Sequence, residues 1–302
     1  MILITGANGN LGRRLLLELD RRKLPARAVV RSQRAADVIA KLEVETPVEV
    51  RIIDYLDEAA MRNAAEGCQQ IVHLVGIIRE TAGSRYVDAH ERTCEVVSKI
   101  AEDSGVRRIV YLSIVGTDVA SANACLTSKA RAERALLEGS VPALVLRVAM
   151  VLGEGDYAST ALGGRARSRW NILLRSRSLE QPIYAGDMIA AILAGLDAGD
   201  VDDVTIDLAG PRVLTRGDLT RAAAQTLGRR THIVSLPLWT GLLAAGLLEL
   251  LSANPPVTRA MLGVLDHDDE VDPAPALERL GISLTPFAAM LEACLDKAQT
   301  TA

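Results

Sequence analysis

Gly6, Gly9 and Gly12 stand between an aliphatic run and an amphipathic run, and this arrangement constrains the fold more than any other feature. The run ILIT predicts a β-strand, and the leucine spacing in LGRRLLLELDRR predicts an α-helix. Glycines at such a turn let the backbone approach a pyrophosphate, which the helix N-terminus attracts. We therefore predict a dinucleotide-binding loop; a tight turn without a ligand is the alternative. The candidate contacts are Gly6, Asn8, Gly9, Asn10, Leu11 and Gly12.

Strand-like and helix-like runs alternate through the first half of the chain. The strand-like runs include ARAVVR, VEVRIID, QQIVHLVG, RRIVYLS and ALVLRV, with helical sequence between them. This alternation is typical of βαβ units, and it predicts an α/β fold with a Rossmann-like, doubly wound parallel sheet. Ligands in such folds bind at the carboxyl ends of the strands.

The alternation stops after Val148, where a loop rich in Gly and Ser precedes mainly helical sequence. We predict an NAD(P)-binding Rossmann domain at residues 1–150, with returning segments at about 181–210. Residues 151–180 and 211–302 are expected to form a smaller, mainly helical C-terminal lobe that contacts a substrate or a partner.

Charge and cysteine usage narrow the functional classes. The net charge of −4 gives no case for a nucleic-acid partner, which needs clustered positive charge. The four cysteines form no CxxC pair, and the four histidines show no metal-ligand spacing. We therefore expect no metal site. Because the chain opens directly on a strand, we expect no leader, and hence a cytoplasmic protein with reduced thiols.

The segment LWTGLLAAGLLELL, residues 238–251, is the most apolar run of the chain. A helix that spans a bilayer needs about 20 residues. This run is shorter and Glu249 interrupts it, so we expect no transmembrane segment. A buried helix is one interpretation. The other is a docking surface for a membrane or a protein partner, because a helix that is apolar all round must be covered.

The end of the second predicted strand, AVVRSQR, bears on the choice of nucleotide. Sites that prefer NAD usually place a carboxylate there, whereas Arg31 and Ser32 stand here, with Arg34 nearby. Guanidinium groups suit a 2′-phosphate, so we predict NADP(H) over NAD(H). The alternative is a solvated arginine surface. Asp54, after the third strand, is either a contact to the adenine amino group or a helix cap.

Several motifs occur in the order found in one family. They are TGANGNLG, the aspartate of IIDYLD, GVRRIVYLS, the lysine of SKARAER, LRVAMVLGEGD and the aspartate of IYAGDM. The chain resembles an atypical, extended short-chain dehydrogenase/reductase of the NAD(P)-binding Rossmann superfamily, similar to NAD-dependent epimerases and dehydratases. The sequence from LPLWTG onwards is similar to the NADPH-binding accessory subunit of respiratory complex I and its bacterial relatives.

The resemblance also implies catalytic and nucleotide-contacting positions. Active members carry YxxxK on one helix face and a serine or threonine after the preceding strand; the phenol exchanges a proton with the substrate. Ser113 and Lys129 match the serine and the lysine, but Cys125 occupies the tyrosine position. Val75 and Gly76 match the nucleotide contacts after the IVHLVG strand. Because a thiol reaches less far than a phenol, carbonyl reduction should be heavily impaired.

Three interpretations of Cys125 remain open at this point. It is a small buried filler, a reactive thiol whose pKa Lys129 lowers, or part of a site that uses another acid such as Tyr157. Lys129 either binds the nicotinamide ribose or is a solvated helix lysine.

The leading hypothesis is an NADP(H)-binding protein of this family that is at most a weak NADPH-dependent reductase or isomerase of an unidentified small molecule. The alternative is a non-catalytic structural or regulatory subunit that bound nucleotide stabilises. Such a subunit would dock through residues 238–251 on a larger complex and lie peripheral to a membrane.

Overall fold

A parallel sheet with helices on both faces organises the chain. The computed structural model describes residues 1–197, 203–252, 255–264 and 268–295. Within these residues, seven strands form one sheet in the order β11-β6-β5-β4-β1-β2-β3. The strands are β1 (Ile2–Thr5), β2 (Ala26–Val30), β3 (Val48–Ile52), β4 (Gln70–His73), β5 (Arg108–Ile114), β6 (Ala143–Val148), β7 (Val151–Leu152), β8 (Trp170–Leu174), β9 (Leu179–Glu180), β10 (Ile183–Tyr184), β11 (Val204–Leu208), β12 (Leu214–Thr215) and β13 (His232–Leu236).

Helices connect most of these strands, as the alternating sequence predicts. A π-helical segment, Val87–Arg92, precedes α4. The α-helices are α1 (Asn10–Arg21), α2 (Gln33–Ala40), α3 (Glu58–Ala65), α4 (Thr93–Asp103), α5 (Ala124–Leu137), α6 (Tyr157–Arg167), α7 (Ala185–Asp197), α8 (Arg216–Thr226), α9 (Leu238–Leu251), α10 (Arg259–Val264), α11 (Ala274–Leu280) and α12 (Phe287–Leu295). The Rossmann-like α/β fold is thus confirmed.

The strand order changes direction at β1. This strand pairs in parallel with β2 on one side and with β4 on the other. The crossovers therefore diverge here, which opens a crevice at the carboxyl ends of β1 and β4. The loops that follow these two strands carry Gly6 and Gly76, two of the predicted nucleotide contacts.

The chain divides into two compact units. The first comprises Met1–Arg147 and Ile189–Ile206, and the second comprises Val148–Met188 and Asp207–Ala302. In the first unit, alternating aliphatic residues of the strands meet one face of each helix, and this core includes Leu3, Ile71, Ile109 and Val145. Burial of these side chains supplies the main favourable term in folding.

The second unit has its own core, which α6, α8 and α12 form around Leu162, Leu219 and Met290. Three short strand pairs accompany these helices: β7–β10 and β8–β13 are parallel, and β9–β12 is antiparallel. The buried Asp187 carboxylate accepts hydrogen bonds from the Thr285 backbone N–H at 2.8 Å and from its hydroxyl at 2.7 Å. These bonds fasten the segment before α12 to the start of α7.

The Asp187→Ala variant is expected to lose about 2–3 kcal/mol of unfolding free energy, because two hydrogen bonds to a buried carboxylate disappear. Asp272→Ala is the control, since that exposed carboxylate accepts one backbone N–H, from Ala274, and should cost under about 1 kcal/mol. Urea unfolding of both variants measures the difference. Equal losses would show that the Asp187 contacts do not fasten this unit.

Candidate functional site

The loop between β1 and α1 has the backbone geometry that its glycines predict. Gly6 adopts φ +69°, and a Cβ there would lie 3.0 Å from the Leu74 carbonyl carbon. A Cβ on Gly12 would lie 2.5 Å from the Ala7 oxygen, so helix and loop pack at backbone contact. Only glycine fits both positions without displacing backbone atoms.

The N-terminus of α1 is open to a ligand. Gly9 occupies the cap position without a side-chain hydrogen bond, and the first N–H groups of a helix have no acceptor within the helix. Asn8 and Gly9 are exposed, and Asn10 and Leu11 are partly exposed. The small residues of this loop and the positive end of the α1 dipole suit a dinucleotide pyrophosphate.

Tyr55, a residue that no sequence motif indicates, joins this loop to the neighbouring strand. Its hydroxyl accepts from the Gly6 N–H at 3.0 Å and donates to the Val29 carbonyl at 3.1 Å. The ring is buried, and burial raises the pKa of Tyr55. The only sequence signal is its place directly after Asp54. The Arg31 guanidinium lies 5.8 Å from the centre of this ring.

The residues after β2 and β3 occupy exposed positions. Arg31 and Ser32 are exposed, and the Ser32 hydroxyl caps α2 by accepting from the Ala35 N–H at 3.2 Å. Asp54 does not cap α3; it accepts from the Leu56 N–H at 3.1 Å, and Asp57 caps the helix instead. Of the two interpretations of Asp54, the helix cap is therefore wrong.

Lys129 is buried beneath the loop that follows β4. Its ammonium group donates to the Leu112 carbonyl at 2.9 Å and to the Tyr111 hydroxyl at 3.0 Å. A Cβ on Gly76 would lie 3.2 Å from this nitrogen, and neighbouring Val75 is buried. Burial lowers the pKa of Lys129, since a charged ammonium is poorly solvated there. The lysine is thus not a solvated surface residue.

Two buried histidines lie near this lysine. His73 Nδ1 is 2.7 Å from the Thr5 hydroxyl, and His90 Nε2 accepts from the Ile77 N–H at 3.0 Å. His90 Nδ1 is buried and has no hydrogen-bond partner among the described residues. Burial, and then the charge of Lys129, lowers the pKa of each histidine to about 3. Both rings are therefore neutral at physiological pH.

Cys125 is a buried thiol at the start of α5. Its sulfur donates to the Ile77 carbonyl at 3.8 Å, and burial raises its pKa although Lys129 acts in the opposite direction. An activated thiolate requires a lowered pKa, so the geometry favours the filler interpretation over the reactive thiol. Tyr157, the alternative acid, is exposed at the first residue of α6 in the other unit.

Ser113 faces a buried ion pair. Its hydroxyl donates to the Glu133 carboxylate, which also binds the Arg147 guanidinium at 2.6–3.1 Å through both oxygens. Glu133 lies one helical turn beyond Lys129 on α5, but no sequence motif pointed to it. The predicted serine is thus hydrogen-bonded within the protein.

Residues 6–165 match a protein family described as NAD(P)H-binding, which is more than half of the chain. The chain belongs to this NAD(P)H-binding family. The expected membership among atypical short-chain dehydrogenase/reductases is confirmed.

Relatives of this NAD(P)H-binding chain differ in their stated roles. A mitochondrial subunit from Arabidopsis thaliana, NADH dehydrogenase [ubiquinone] 1 alpha subcomplex subunit 9, is 27% identical over 78% of this chain and 60% of the relative. A ceramide reductase from Caulobacter vibrioides is 26% identical over 82% of this chain and 77% of the relative. The chain thus spans about three fifths of the plant subunit.

The solved structure of a Citrobacter sp. triphenylmethane reductase complexed with NADP(H) shares the fold. Its TM-score is 0.75 at 19% identity, and the match covers 98% of this chain and all of the neighbour. At this identity the likeness bears on the fold alone.

Acid is expected to destabilise the protein through its buried histidines. The pKa of His73 and of His90 is 6.5 in the unfolded chain and about 3 in the fold, so the unfolded chain binds more protons between these values. The contribution of the two histidines to the unfolding free energy is complete above pH 6.5 and is lost as the pH falls towards about 3. Between these pH values, the unfolding free energy is expected to fall by about 1.4 kcal/mol per pH unit for each histidine.

Urea unfolding of the native protein and of His73→Gln across this pH range checks the slope. The His73→Gln variant should lose the part of the slope that one histidine contributes. His232→Gln, which changes an exposed ring, should leave the slope unchanged. An NMR titration in which the His73 ring protonates near pH 6.5 would contradict the assignment.

Proposed function

We propose that this chain binds NADP(H), with the pyrophosphate on the N-terminus of α1, the 2′-phosphate at Arg31 and the nicotinamide ribose near Lys129. The backbone contact at Gly6 and Gly12, which a Cβ would fill, supports the pyrophosphate position. Family membership supports a nicotinamide nucleotide.

The preference for NADP(H) rests on the end of β2, where Arg31 and Ser32 stand instead of a carboxylate. The Arg31 side chain is exposed and lies near the Tyr55 ring, and a guanidinium beside an aromatic face suits an anionic ligand next to a purine. A 2′-phosphate carries the charge that such a group recognises. The Citrobacter neighbour was solved with NADP(H).

Carbonyl reduction by this site should be weak. When bound, the nicotinamide supplies a hydride, but a ketone also needs a proton at its oxygen as the hydride arrives. Cys125 is protonated yet buried against Ile77, and Ser113 already donates to Glu133. With neither group able to deliver a proton, the protein favours acceptors that need none. We therefore propose a slow NADPH-dependent reductase or isomerase.

A nucleotide-stabilised subunit is the second candidate function. It is favoured by the internal hydrogen bonds of Ser113 and Lys129, which hold both side chains in place without a substrate. A bound nucleotide adds about 2.7 kcal/mol of stability at a hundred times its Kd. The Arabidopsis relative is named as a mitochondrial NADH dehydrogenase [ubiquinone] subunit, and in this role the chain would lie beside a membrane complex.

Arg31→Ala is expected to weaken NADPH binding about tenfold or more, because hydrogen bonds to a charged group contribute about 1.5–3 kcal/mol. NADH binding should not change. Calorimetric titration of both reduced nucleotides measures the two effects. Arg107→Ala is the control, since Arg107 is an exposed arginine at the opposite, amino-terminal edge of the sheet. Tighter NADH binding by the native protein would overturn the preference.

Native protein with NADPH is expected to reduce a cationic triphenylmethane dye faster than a ketone. The hydride neutralises the dye's central carbon without a proton, whereas the ketone oxygen needs one. Loss of NADPH absorbance and loss of dye colour measure both reactions. Cys125→Tyr restores a phenol and should raise ketone reduction, whereas Cys125→Ala should not.

The subunit hypothesis makes the opposite prediction. Neither acceptor would be consumed, while NADPH would still raise the melting temperature. Turnover of the ketone as fast as the dye by native protein would contradict the role of the missing proton donor.

A further inference from the structure

Helix α9 leaves a continuous apolar stripe exposed. Trp239, Leu243, Leu247, Leu250 and Leu251 recur at helical spacing, and each is at least 61% exposed. Leu250 and Leu251 reach 85% and 83% exposure. Ala245 is the buried residue of the helix. A helix that is apolar all round is normally covered, but no described residue covers this stripe.

The strand pair β8–β13 extends this stripe. Ile172 pairs with Val234, and both are exposed, because they lie on the outer face of the two-stranded ribbon. Trp170 and His232 form the first pair on the same face, with ring centroids 4.7 Å apart. The alternate residue Leu173 is buried on the inner face.

The ribbon and the helix form one surface. Leu174 shares the outer face with Trp170 and Ile172, since side chains of a strand alternate. A Cβ on Gly241 of α9 would lie 2.3 Å from Leu174 Cδ1, so the helix packs on the end of this face. We call this surface, formed by the exposed residues of α9 and the outer face of β8–β13, the docking face.

Both tryptophans of the chain, Trp170 and Trp239, lie on the docking face, at 62% and 61% exposure. An indole ring has an apolar body and one polar N–H group. It therefore favours the boundary between water and lipid, where tryptophan is enriched in membrane proteins.

Arginines flank the docking face, and one of them, Arg175, pairs with the Asp268 carboxylate at 3.5 Å. Residues 165–179 and 229–248 together contain seven arginines and no Asp or Glu, although the whole chain carries a net charge of −4. Arg169, Arg177 and Arg230 are exposed and form no ion pair in the described part of the chain. Beside the start of α9, a cavity of about 320 Å³ is lined by Arg175, Arg177, Ser178, Ser235, Leu236 and Pro237.

We propose that the docking face binds the surface of an anionic phospholipid bilayer. The leucines and tryptophans would enter the boundary region, and the arginines would meet lipid phosphates. The sequence allowed a protein partner for residues 238–251, but Arg169, Arg177 and Arg230, which are exposed and form no ion pair within the described residues, favour a surface of dense negative charge. A second copy of the chain is disfavoured, because a symmetric contact brings the same arginines together.

The helix would lie in the plane of the membrane. At about 1.5 Å per residue, its 14 residues extend about 21 Å, whereas the hydrocarbon core is about 30 Å thick. Among the described helices, none is long and apolar enough to cross a bilayer. The face is therefore suited to reversible, peripheral attachment.

Tryptophan fluorescence with vesicles tests the proposal directly, since both indoles report from the docking face. Full-length protein is titrated with vesicles of phosphatidylcholine and phosphatidylglycerol, and with phosphatidylcholine alone. We expect a blue shift and co-sedimentation with the anionic vesicles, and reversal by salt. No binding to anionic vesicles, or equal binding to both compositions, would overturn the proposal.

Matched variants separate apolar from charged contributions. Leu247→Glu with Leu250→Glu should weaken partitioning about tenfold or more, and Val119→Glu, at an exposed valine elsewhere, should not change it. Arg177→Gln and Arg230→Gln should each weaken binding to anionic vesicles about fivefold, whereas Arg107→Gln should leave that binding unchanged. Equal effects of test and control variants would contradict the assignment.

Two further measurements separate the alternatives. The variant that carries both Leu247→Glu and Leu250→Glu should bind NADPH as tightly as native protein does. A failure of the lipid proposal is therefore distinct from a failure of the nucleotide proposal. Light scattering in lipid-free buffer should show no self-association. Oligomers that the leucine variants dissolve would instead assign the docking face to a second copy and overturn the proposal.

Discussion

Burial of the Lys129 ammonium group is the constraint around which the first unit is arranged. A charge in this position is stable only with hydrogen-bond acceptors, and the Tyr111 hydroxyl and the Leu112 carbonyl supply them. Burial, and then the same charge, keeps His73 and His90 neutral, because a second cation there would be poorly solvated and repelled. Gly76 completes the arrangement, since any side chain there would press on the Lys129 nitrogen. Strand, helix and loop are thus fixed around one lysine.

The nucleotide cradle depends on a second set of contacts at the switch in strand order. Gly12 lets α1 approach the backbone of Ala7, and Gly6 lets the first loop approach the loop after β4. The Tyr55 hydroxyl then accepts a hydrogen bond from the Gly6 N–H and donates one to the Val29 carbonyl. The ends of β1 and β2 therefore stay in place before a ligand arrives, which lowers the entropic cost of binding.

The sequence predicted the fold because its signals were local. A glycine loop between a strand and a helix, and the alternation that follows, required no knowledge of distant contacts. The candidate site was less predictable where residues act across the fold. Tyr55 and Glu133 belong to no motif, and their importance follows from contacts with Gly6 and with Ser113 that only folding creates. For Cys125, the motif gave the position, while burial, which raises the pKa of the thiol, favours the filler over the reactive thiol.

Net charge was also a poor guide to local electrostatics. The net charge of the chain is −4, yet the exposed Arg169, Arg177 and Arg230 flank the β8–β13 ribbon. Attraction to a polyanion depends on this local separation, since salt screens charges beyond about 10 Å. The neighbouring α9 leucines then decide the kind of polyanion. A nucleic acid offers no apolar phase to cover Leu247 or Leu250, whereas a bilayer offers phosphates and hydrocarbon at one surface.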